Sequence, residues 1–283
     1  MNKIAHIINP FKAAPSSDLF VAQPITFASM QHAKKLAQKE VEVTLFTAQF
    51  EEDLDMVPKD FVATRNLERS VLDMHHFEKK MKLPLIQDIL NELYEASDAD
   101  YFIYTNVDIG LYPNFYSKVN SFIDKGLDAF IINRRRLPEV VGGENNLDDI
   151  FQVKGKKHPG FDCFVFKRSL FPQFQLENIC IGVPFIGITL AQNIFALAEK
   201  YAIFTNEVLT FHLGEEVYKK RAPKEYFKYN QKEFWKVING PLQDSLSYKK
   251  LPYYELSRLK RIFKYSLHPC FPIRLILKLE KKG

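Results

Sequence analysis

Apolar positions follow two different periods over the first 136 residues. Short runs of apolar and β-branched residues predict buried strands, and between them apolar residues recur every three or four positions, as on one face of a helix. The predicted strands cover residues 3–11, 41–50, 99–111 and 127–136, with a looser loop and strand at 61–74. The predicted helices cover residues 23–40, 83–97 and 112–126.

This alternation predicts an α/β fold with a mostly parallel, mixed sheet flanked by helices, a Rossmann-like arrangement. The strands are too continuously apolar to be exposed on one side, so we expect helices on both faces. In such sheets ligands bind beyond the carboxyl ends of the strands, where the strand order reverses. Three of these ends carry polar residues, at Asn9-Pro10, at Asn106 to Asp108 and at Asn133 to Arg136.

After residue 137 the pattern changes. A long polar loop precedes a short strand at 161–171, a loop and helix at 179–201, and a strand within 202–214 that ends at His212. We therefore expect one ligand-binding domain over residues 1–215 and a basic, largely helical C-terminal extension over residues 216–283.

Composition narrows the class of protein. Hydrophobic residues make up 46% of the chain and aromatic residues 14%, which argues against disorder. Three cysteines that have no metal-type spacing and cannot all pair favour a reducing, cytoplasmic compartment. The N-terminal apolar run is too short for a signal peptide, and we find no stretch of the roughly 20 apolar residues that a membrane span needs.

Charge is distributed unevenly along the chain. Residues 249–283 contain ten basic and two acidic residues, whereas the other 248 residues contain 29 basic and 32 acidic ones. A basic tail on a mildly acidic body does not favour a general nucleic-acid binder. The tail mixes apolar and basic residues at helical spacing. It therefore predicts either a helix lying on an anionic membrane, peripheral to its inner face, or a helix packed on the domain with a charged outer face.

Asn106 and Asp108 are the first candidates for chemistry. They flank one residue at the end of an apolar strand, and side chains two positions apart on a strand point to the same side. Oxygen ligands of this kind suit a hard divalent cation and its phosphate ligands. The alternative is a local turn in which both side chains cap backbone groups.

The segment SDADYFIYTNVDIGLYPNFYSKV, residues 97–119, resembles the central part of glycosyltransferases with the A-type, nucleotide-diphospho-sugar transferase fold. In that family a helix leads into an apolar strand that ends in an acidic DxD motif, followed by a proline and an aromatic-bearing helix. The resemblance covers residues 1–215 and implies sugar transfer from a nucleotide-sugar donor with Mn²⁺ or Mg²⁺ on the diphosphate. Asp108 matches the second acid, and Asn106 replaces the first, so the motif is a variant, NVD.

The resemblance and the positions of strand ends indicate two further groups of candidate site residues. His212 follows the last strand of the body, where a histidine of the family often completes the metal site; a structural histidine is the alternative. Arg134, Arg135 and Arg136 follow a strand end, and arginine matches phosphate geometry, so they predict diphosphate binding without a metal or beside one. A solvated arginine loop is the alternative reading of that run.

The remaining candidates are more general. Asn9, Pro10 and Phe11 would meet the nucleotide, with Phe11 stacking on the base, although an ordinary turn explains them equally well. A polar cluster holds His158, which we assign to donor binding, and Asp162, which could orient a sugar hydroxyl or act as general base; a tight turn is the other explanation. Glu177 is a second candidate base, because the acidic pair of many inverting enzymes is missing here.

These observations predict a cytoplasmic glycosyltransferase that uses a nucleotide-sugar and a saccharide or lipid-linked acceptor, as in surface polysaccharide or glycan synthesis. A related nucleotidyltransferase would need a Gly-rich basic loop after the first strand, and the sequence has one lysine and no glycine there. A non-catalytic binding or scaffold protein of the same fold is the other alternative. The sequence leaves open the donor, the acceptor and whether the anomeric configuration is retained.

Overall fold

The computed structural model describes residues 1–138, 146–214, 223–268 and 270–282. The predicted domain boundary at residue 215 lies outside these ranges.

Strands and helices alternate along most of the chain. The strands are β1 (Lys3–Ile8), β2 (Glu42–Thr47), β3 (Val62–Ala63), β4 (Tyr101–Thr105), β5 (Gly110–Leu111), β6 (Ala129–Ile132), β7 (Arg135–Leu137), β8 (Lys156–Lys157), β9 (Cys163–Lys167), β10 (Tyr201–Phe204) and β11 (Thr210–Leu213). The helices are α1 (Asp18–Ala37), α2 (Val71–Met74), α3 (Ile86–Ala96), α4 (Phe115–Asp124), α5 (Leu147–Gln152), α6 (Ile186–Leu197), α7 (Lys224–Asn239), α8 (Arg258–Leu267) and α9 (Ile273–Lys282). Short 3-10 helices occur between them, for example Glu51–Met56 and Arg168–Gln173.

A seven-stranded sheet forms the centre of the molecule, in the order β10-β6-β9-β4-β1-β2-β3. Neighbouring strands in this sheet are parallel to each other, except that β9 runs antiparallel to both of its neighbours, β4 and β6. This is the mixed, mostly parallel sheet that the sequence predicts. The strand order reverses between β1 and β4, so the crevice of a doubly wound sheet lies at the carboxyl ends of these two strands.

The sheet separates two apolar cores because alternate side chains of each strand point to opposite faces. Ala5 and Ile7 of β1 lie in one core with α3 and α6, whereas Ile4 and Ile8 lie in the other with α1 and α4. The central strands are therefore buried on both sides, which explains why their sequences are apolar throughout.

A second sheet, β5-β11-β7-β8, covers the carboxyl end of the first. Its strands β5, β7 and β11 follow β4, β6 and β10 after short turns, so three long predicted strands are each divided into two. Because β11 pairs with both β5 and β7, it joins the chain after β4 to the chain after β6. The polar residues that follow β4, β6 and β10 are thereby brought close together at the carboxyl edge of the large sheet.

Local signals decide where two of the helices differ from prediction. The first helix was expected from residue 23, but Ser17 caps α1 by accepting a hydrogen bond from the backbone N–H of Leu19 at 3.3 Å, and Pro24 lies inside the helix. The strand expected in residues 61–74 is reduced to Val62–Ala63, and Val71–Met74 is one helical turn that Ser70 and Asp73 close with a capping box.

The C-terminal region is helical, as predicted. Its apolar side chains enter the core on the α3 and α6 face of the large sheet, among them Phe234, Val237, Tyr265, Phe271 and Leu275. Among the described residues, we find no helix that combines the length and the apolar character required to span a bilayer.

Candidate active site

Asp108 and His212 meet at the carboxyl edge of the large sheet. Asp108 lies in the turn between β4 and β5, His212 lies in β11, and their Oδ2 and Nε2 atoms are 3.1 Å apart. The side chains are 15% and 9% exposed. The small sheet produces this contact, because β5 and β11 are hydrogen-bonded neighbours. The structure thus brings together two residues that lie 104 positions apart and that the sequence assigned to one metal site.

Electrostatics keeps the Asp108 carboxylate charged. Burial alone would raise its pKa, but the hydrogen bond and electrostatic interaction with His212 and the positive charge of Arg134 outweigh burial, so the pKa lies below the ordinary value. Oδ1 of Asp108 and Nδ1 of His212 are buried and have no hydrogen-bond partner in the described part of the chain. A negative oxygen is therefore available to a cation or to a donor group of a ligand.

Asn106 has a different environment from Asp108. Its Oδ1 accepts a hydrogen bond from the hydroxyl of Tyr104 at 2.9 Å. Burial, and to a smaller extent the charge of Asp108, raises the pKa of Tyr104, so this hydroxyl remains a donor. One lone pair of the side-chain amide oxygen of Asn106 is thus occupied within the protein. The backbone carbonyl of Asn106 separately accepts a hydrogen bond from the backbone N–H of Ile109 at 3.1 Å.

The three arginines have separate environments. The guanidinium of Arg134 donates to Oδ1 of Asp162, and both side chains are nearly buried, at 11% and 10% exposed. Arg135 donates to the carbonyl oxygens of Asn206 at 2.5 Å and Glu207 at 3.4 Å, so it holds the loop between β10 and β11.

Arg136 pairs in register with His212 across the parallel strands β7 and β11. Partners in register point to the same face of a sheet, so Arg136 shares the face of His212. Arg136 is consequently on the side of the candidate site, and Arg134 is near it because its charge acts on Asp108, whereas Arg135 pairs with Phe211 and lies on the opposite face.

Asp162 and His158 form a second polar cluster next to the first. Oδ2 of Asp162 is buried without a hydrogen-bond partner in the described residues and lies 3.7 Å from Nδ1 of His158. That nitrogen accepts a hydrogen bond from the backbone N–H of Gly160 at 3.0 Å, and the carbonyl of His158 accepts from the Asn133 side chain. Asp162 is therefore held by Arg134 through one oxygen while the other stays available.

The loop after β1 is held firmly at the same edge of the sheet. The Asn9 side chain donates to the carbonyl of Ala48 at 2.6 Å, which ties the ends of β1 and β2 together, and Pro10 is buried beside it. The backbone N–H and carbonyl of Phe11 both bond the side chain of Gln23 at 3.0 Å, and the half-buried ring of Phe11 packs against the core on the α1 and α4 face of the sheet.

Glu177, like Arg135, is a predicted candidate that the structure places apart from this group. In the described part of the chain, it makes no hydrogen bond or ion pair with Asp108, Asp162 or His212. Its neighbour Asn178 accepts a hydrogen bond from Tyr229 of α7 at 3.1 Å, and the charge of Glu177 acts on that same tyrosine. Its loop therefore packs on the C-terminal helices.

Three supporting residues were not identified from the sequence. Tyr104 could have been found, because it precedes Asn106 by two positions on the same side of β4. Gln23 and Asp53 hold the loop after β1, Asp53 by accepting from the backbone N–H of Lys12 at 2.8 Å. The sequence gave no signal for these two, since they lie in a helix and a 3-10 helix that are remote from Phe11 along the chain.

The residues fit a divalent cation only in part. Among the described residues, we find no cluster of three or more His, Cys, Asp or Glu side chains that could hold a metal. Asp108 and His212 supply two ligands of suitable type, and because Nδ1 of His212 has no described partner, the proton can reside there and leave Nε2 free to coordinate. The remaining ligands would have to come from a diphosphate and water.

The architecture is that of the A-type nucleotide-diphospho-sugar transferases, with a central mixed sheet, flanking helices and a helical C-terminal region. The S. aureus TarS fragment 1–349, solved in complex with UDP-GlcNAc, superposes with a TM-score of 0.50 at 8% sequence identity, over 96% of this chain and 82% of that one. Glucosyl-3-phosphoglycerate synthase from Mycobacterium tuberculosis, solved with Mn²⁺, UDP and phosphoglyceric acid, gives a TM-score of 0.45 at 11% identity, over 85% of this chain and 78% of that one. In sequence, no protein-family model and no curated protein matches the chain.

Proposed function

We propose that the protein is a glycosyltransferase that moves a sugar from a nucleoside-diphosphate donor to a saccharide or lipid-linked acceptor, in the synthesis of a surface polysaccharide or glycan. The observation that carries this proposal is the contact of Asp108 with His212 at the strand-order reversal, with a buried carboxylate oxygen left unpartnered. The fold supports it, because ligands of doubly wound sheets bind at this position. Fold alone does not define activity, so the site carries the argument.

The donor diphosphate would lie against Asp108, His212 and Arg134. Mn²⁺ or Mg²⁺, held by Asp108 and His212, would supply charge neutralisation for the leaving diphosphate. Arg134 contributes a fixed positive charge near Asp108, and Arg136 shares the face of His212. Asn106, whose amide oxygen is bonded to Tyr104, would act as a weak or indirect ligand. The nucleoside would lie over Phe11, in the loop that the buried Asn9 and Pro10 hold in place, and His158 would lie beside the donor sugar.

Asp162 is the side chain best placed to handle the proton of the acceptor. In the transfer, an acceptor hydroxyl oxygen forms a bond to the anomeric carbon while the bond from that carbon to the phosphate oxygen breaks, and the hydroxyl proton must leave. Oδ2 of Asp162 has no partner in the described structure, so it can accept a hydrogen bond from a sugar hydroxyl or take its proton. Arg134 fixes the orientation of the carboxylate through the other oxygen.

Calorimetric titration of UDP, GDP and their sugars, with and without Mn²⁺, tests this proposal. We expect wild type to bind one nucleotide family with micromolar affinity in Mn²⁺ and Asp108→Ala to lose at least tenfold in affinity. Asp148→Ala removes an exposed carboxylate from α5 and is the matched control. Absence of binding to every nucleotide would contradict the proposal, and binding that ignores both Mn²⁺ and Asp108 would remove the metal from it.

We also propose that the protein associates peripherally with an anionic membrane through α8. Leu259, Phe263 and Leu267 recur at intervals of four on the outer face of this helix and are 83%, 63% and 67% exposed. Lys260 and Lys264 flank this apolar stripe and are also exposed. An apolar face bordered by lysines is typical of a helix that lies in the headgroup layer of an anionic bilayer.

Co-sedimentation with vesicles rich in phosphatidylglycerol tests this surface. Replacing the three stripe residues by serine should abolish sedimentation with the vesicles. The matched control replaces Phe20, Val21 and Leu36 of α1, which are 51–57% exposed, by serine and should sediment as wild type does. Equal sedimentation of both triple variants would exclude α8 as the membrane surface.

A further inference from the structure

Three helices enclose an apolar groove that the proposed donor site does not use. We call it the α6–α7–α9 groove. Its apolar lining includes Phe185 and Ile188 at the start of α6, Phe227 and Trp235 of α7, and Ile273 of α9. In the described structure, only Gln231 and Arg274 add polar side chains to it.

The groove is lined by apolar side chains that the fold leaves partly uncovered. Phe227 and Ile273 are 39% and 44% exposed. Phe227, Gln231 and Trp235 follow one another at intervals of four and thus form one stripe along α7. A surface helix normally turns polar residues outward, so apolar side chains on facing walls of a groove indicate a ligand with an apolar part.

Charge at the groove has a single sign. Arg274 is the only charged side chain among the described lining residues, and its guanidinium lies over the ring of Trp235, 4.7 Å from the ring centre. Stacking of this kind holds a guanidinium in place while its N–H groups remain available at the ring edge. The rim of the groove is therefore suited to a negatively charged group, such as a phosphate.

The groove adjoins the candidate active site through α6. A Cβ atom on Gly187, in the first turn of that helix, would lie 2.7 Å from the carbonyl oxygen of Phe161, so the two backbones are in close contact. Phe161 immediately precedes Asp162, and its ring also packs against His268 and Phe271 of the C-terminal region. The first turn of α6 therefore contacts both the groove, through Phe185 and Ile188, and the segment that carries Asp162, through Gly187.

We propose that the α6–α7–α9 groove binds the hydrocarbon chain of a lipid-linked acceptor, with Arg274 binding the phosphate that joins chain and saccharide. This inference rests on the proposed glycosyltransferase function and selects the lipid-linked acceptor from the two classes named there. The position of α9 supports this proposal. Leu277, one turn beyond Ile273, is also exposed, at 47%. In addition, α9 packs against α8, the helix that carries the exposed apolar stripe of Leu259, Phe263 and Leu267.

Trp235 makes the test direct, because it is the only tryptophan in the chain. Wild type is titrated with dodecyl phosphate below its critical micelle concentration while tryptophan emission is recorded. We expect a saturable change in emission, an at least tenfold weaker apparent affinity in Phe227→Asp, and an at least fivefold weaker one in Arg274→Gln. Leu36→Asp, on the exposed face of α1 and outside the groove, is the control and should bind as wild type does.

Several results would overturn the proposal. One is the absence of a saturable change in emission, and another is equal affinity of wild type and Phe227→Asp for dodecyl phosphate. An equal response to inorganic phosphate alone would show that the hydrocarbon chain is not bound. An emission change that depends on protein concentration without amphiphile would identify a second copy of the chain as the occupant. Asp108→Ala should bind dodecyl phosphate normally. If wild type binds dodecyl phosphate but no nucleotide, the result counts against the proposed donor site, whereas nucleotide binding without saturable dodecyl phosphate binding counts against the groove alone.

Discussion

At the scale of single residues, the candidate site is defined by the polar atoms that the fold leaves without a partner. Asn9 and Arg135 looked like ligand-binding residues in the sequence, but their donors bond carbonyl oxygens of neighbouring loops. Asp108 and Asp162 each keep one buried oxygen unpartnered in the described structure. The sequence could identify all four as polar strand-end residues, but it could not separate those that hold loops from those that face a ligand, because that depends on contacts between distant segments.

The pair formed by Arg134 and Asp162 should behave as one energetic unit. Removing the arginine leaves a nearly buried carboxylate without its partner, so Arg134→Ala should lower the free energy of unfolding by about 3 kcal/mol. Arg134→Ala combined with Asp162→Ala should cost much less than the sum of the single changes. Urea unfolding of the four proteins measures the coupling, and additive losses would show that the pair does not interact.

His6 should make the protein sensitive to acid. It is fully buried below the candidate site, 2.9 Å from the hydroxyls of Tyr116 and Thr105, and burial lowers its pKa to about 3 from 6.5. Below pH 6.5 the unfolded chain therefore binds a proton that the folded protein does not, and stability falls as the pH falls. In wild type this contributes up to about 1.4 kcal/mol per pH unit between pH 6 and pH 4.

Urea unfolding across this pH range checks the effect. His6→Gln removes the titrating group, so its free energy of unfolding should depend less steeply on pH than that of wild type by this slope. His76→Gln, at an exposed position, is the control and should retain the wild-type slope. Parallel pH curves for wild type and His6→Gln would refute the assignment.

At the scale of elements, period and length predicted most strands and helices of the large sheet in their order along the chain, and the sheet's mostly parallel, mixed character. The division of three predicted strands was not visible, because β5, β7 and β11 have only two to four residues each and follow β4, β6 and β10 after short turns. Their pairing is non-local, so no local pattern encodes it. The start of α1 was missed because the prediction followed the spacing of apolar residues from residue 23, whereas the capping signal is Ser17, six residues before that position.

Gly110 should be essential to the small sheet. It lies opposite Phe211 in the antiparallel pair of β5 and β11, and a Cβ atom there would overlap the phenylalanine ring. Gly110→Ala should therefore force the strands apart, costing about 2 kcal/mol in stability and separating Asp108 from His212. Thermal unfolding should show part of the loss restored by adding Phe211→Leu, which makes room for the methyl group. A Gly110→Ala protein as stable as wild type would contradict this packing.

At the scale of the whole molecule, the C-terminal region is part of the core. The sequence indicated a basic helical extension, and the structure adds that Tyr265, Phe271 and Leu275 are almost completely buried in the core that includes β1, α3 and α6. The basic residues alone could not reveal this, because the buried side chains of α8 and α9 alternate with exposed apolar ones such as Leu259. When the sequence of a helix has apolar residues on two faces, the pattern does not predict which face packs against the core.

Truncation should consequently unfold the protein and not merely release it from a membrane. Each large buried side chain lost from a core costs on the order of 2–5 kcal/mol, and the C-terminal helices contribute several. A chain ending at residue 222 should show no cooperative thermal transition by circular dichroism. The triple serine variant of the α8 stripe should melt close to wild type. A cooperative transition in the truncated chain would show that residues 1–222 fold independently.

The central claim is that Asp108 and His212 act together on a nucleoside diphosphate. The most direct test is the calorimetric affinity of the preferred nucleoside diphosphate, in the presence of Mn²⁺, for wild type, Asp108→Asn, His212→Gln and the double variant. If both side chains hold the same group, each single change should weaken binding at least tenfold and the double variant should be little worse than either. Unchanged affinity in the single variants, or losses that simply add, would contradict a shared site.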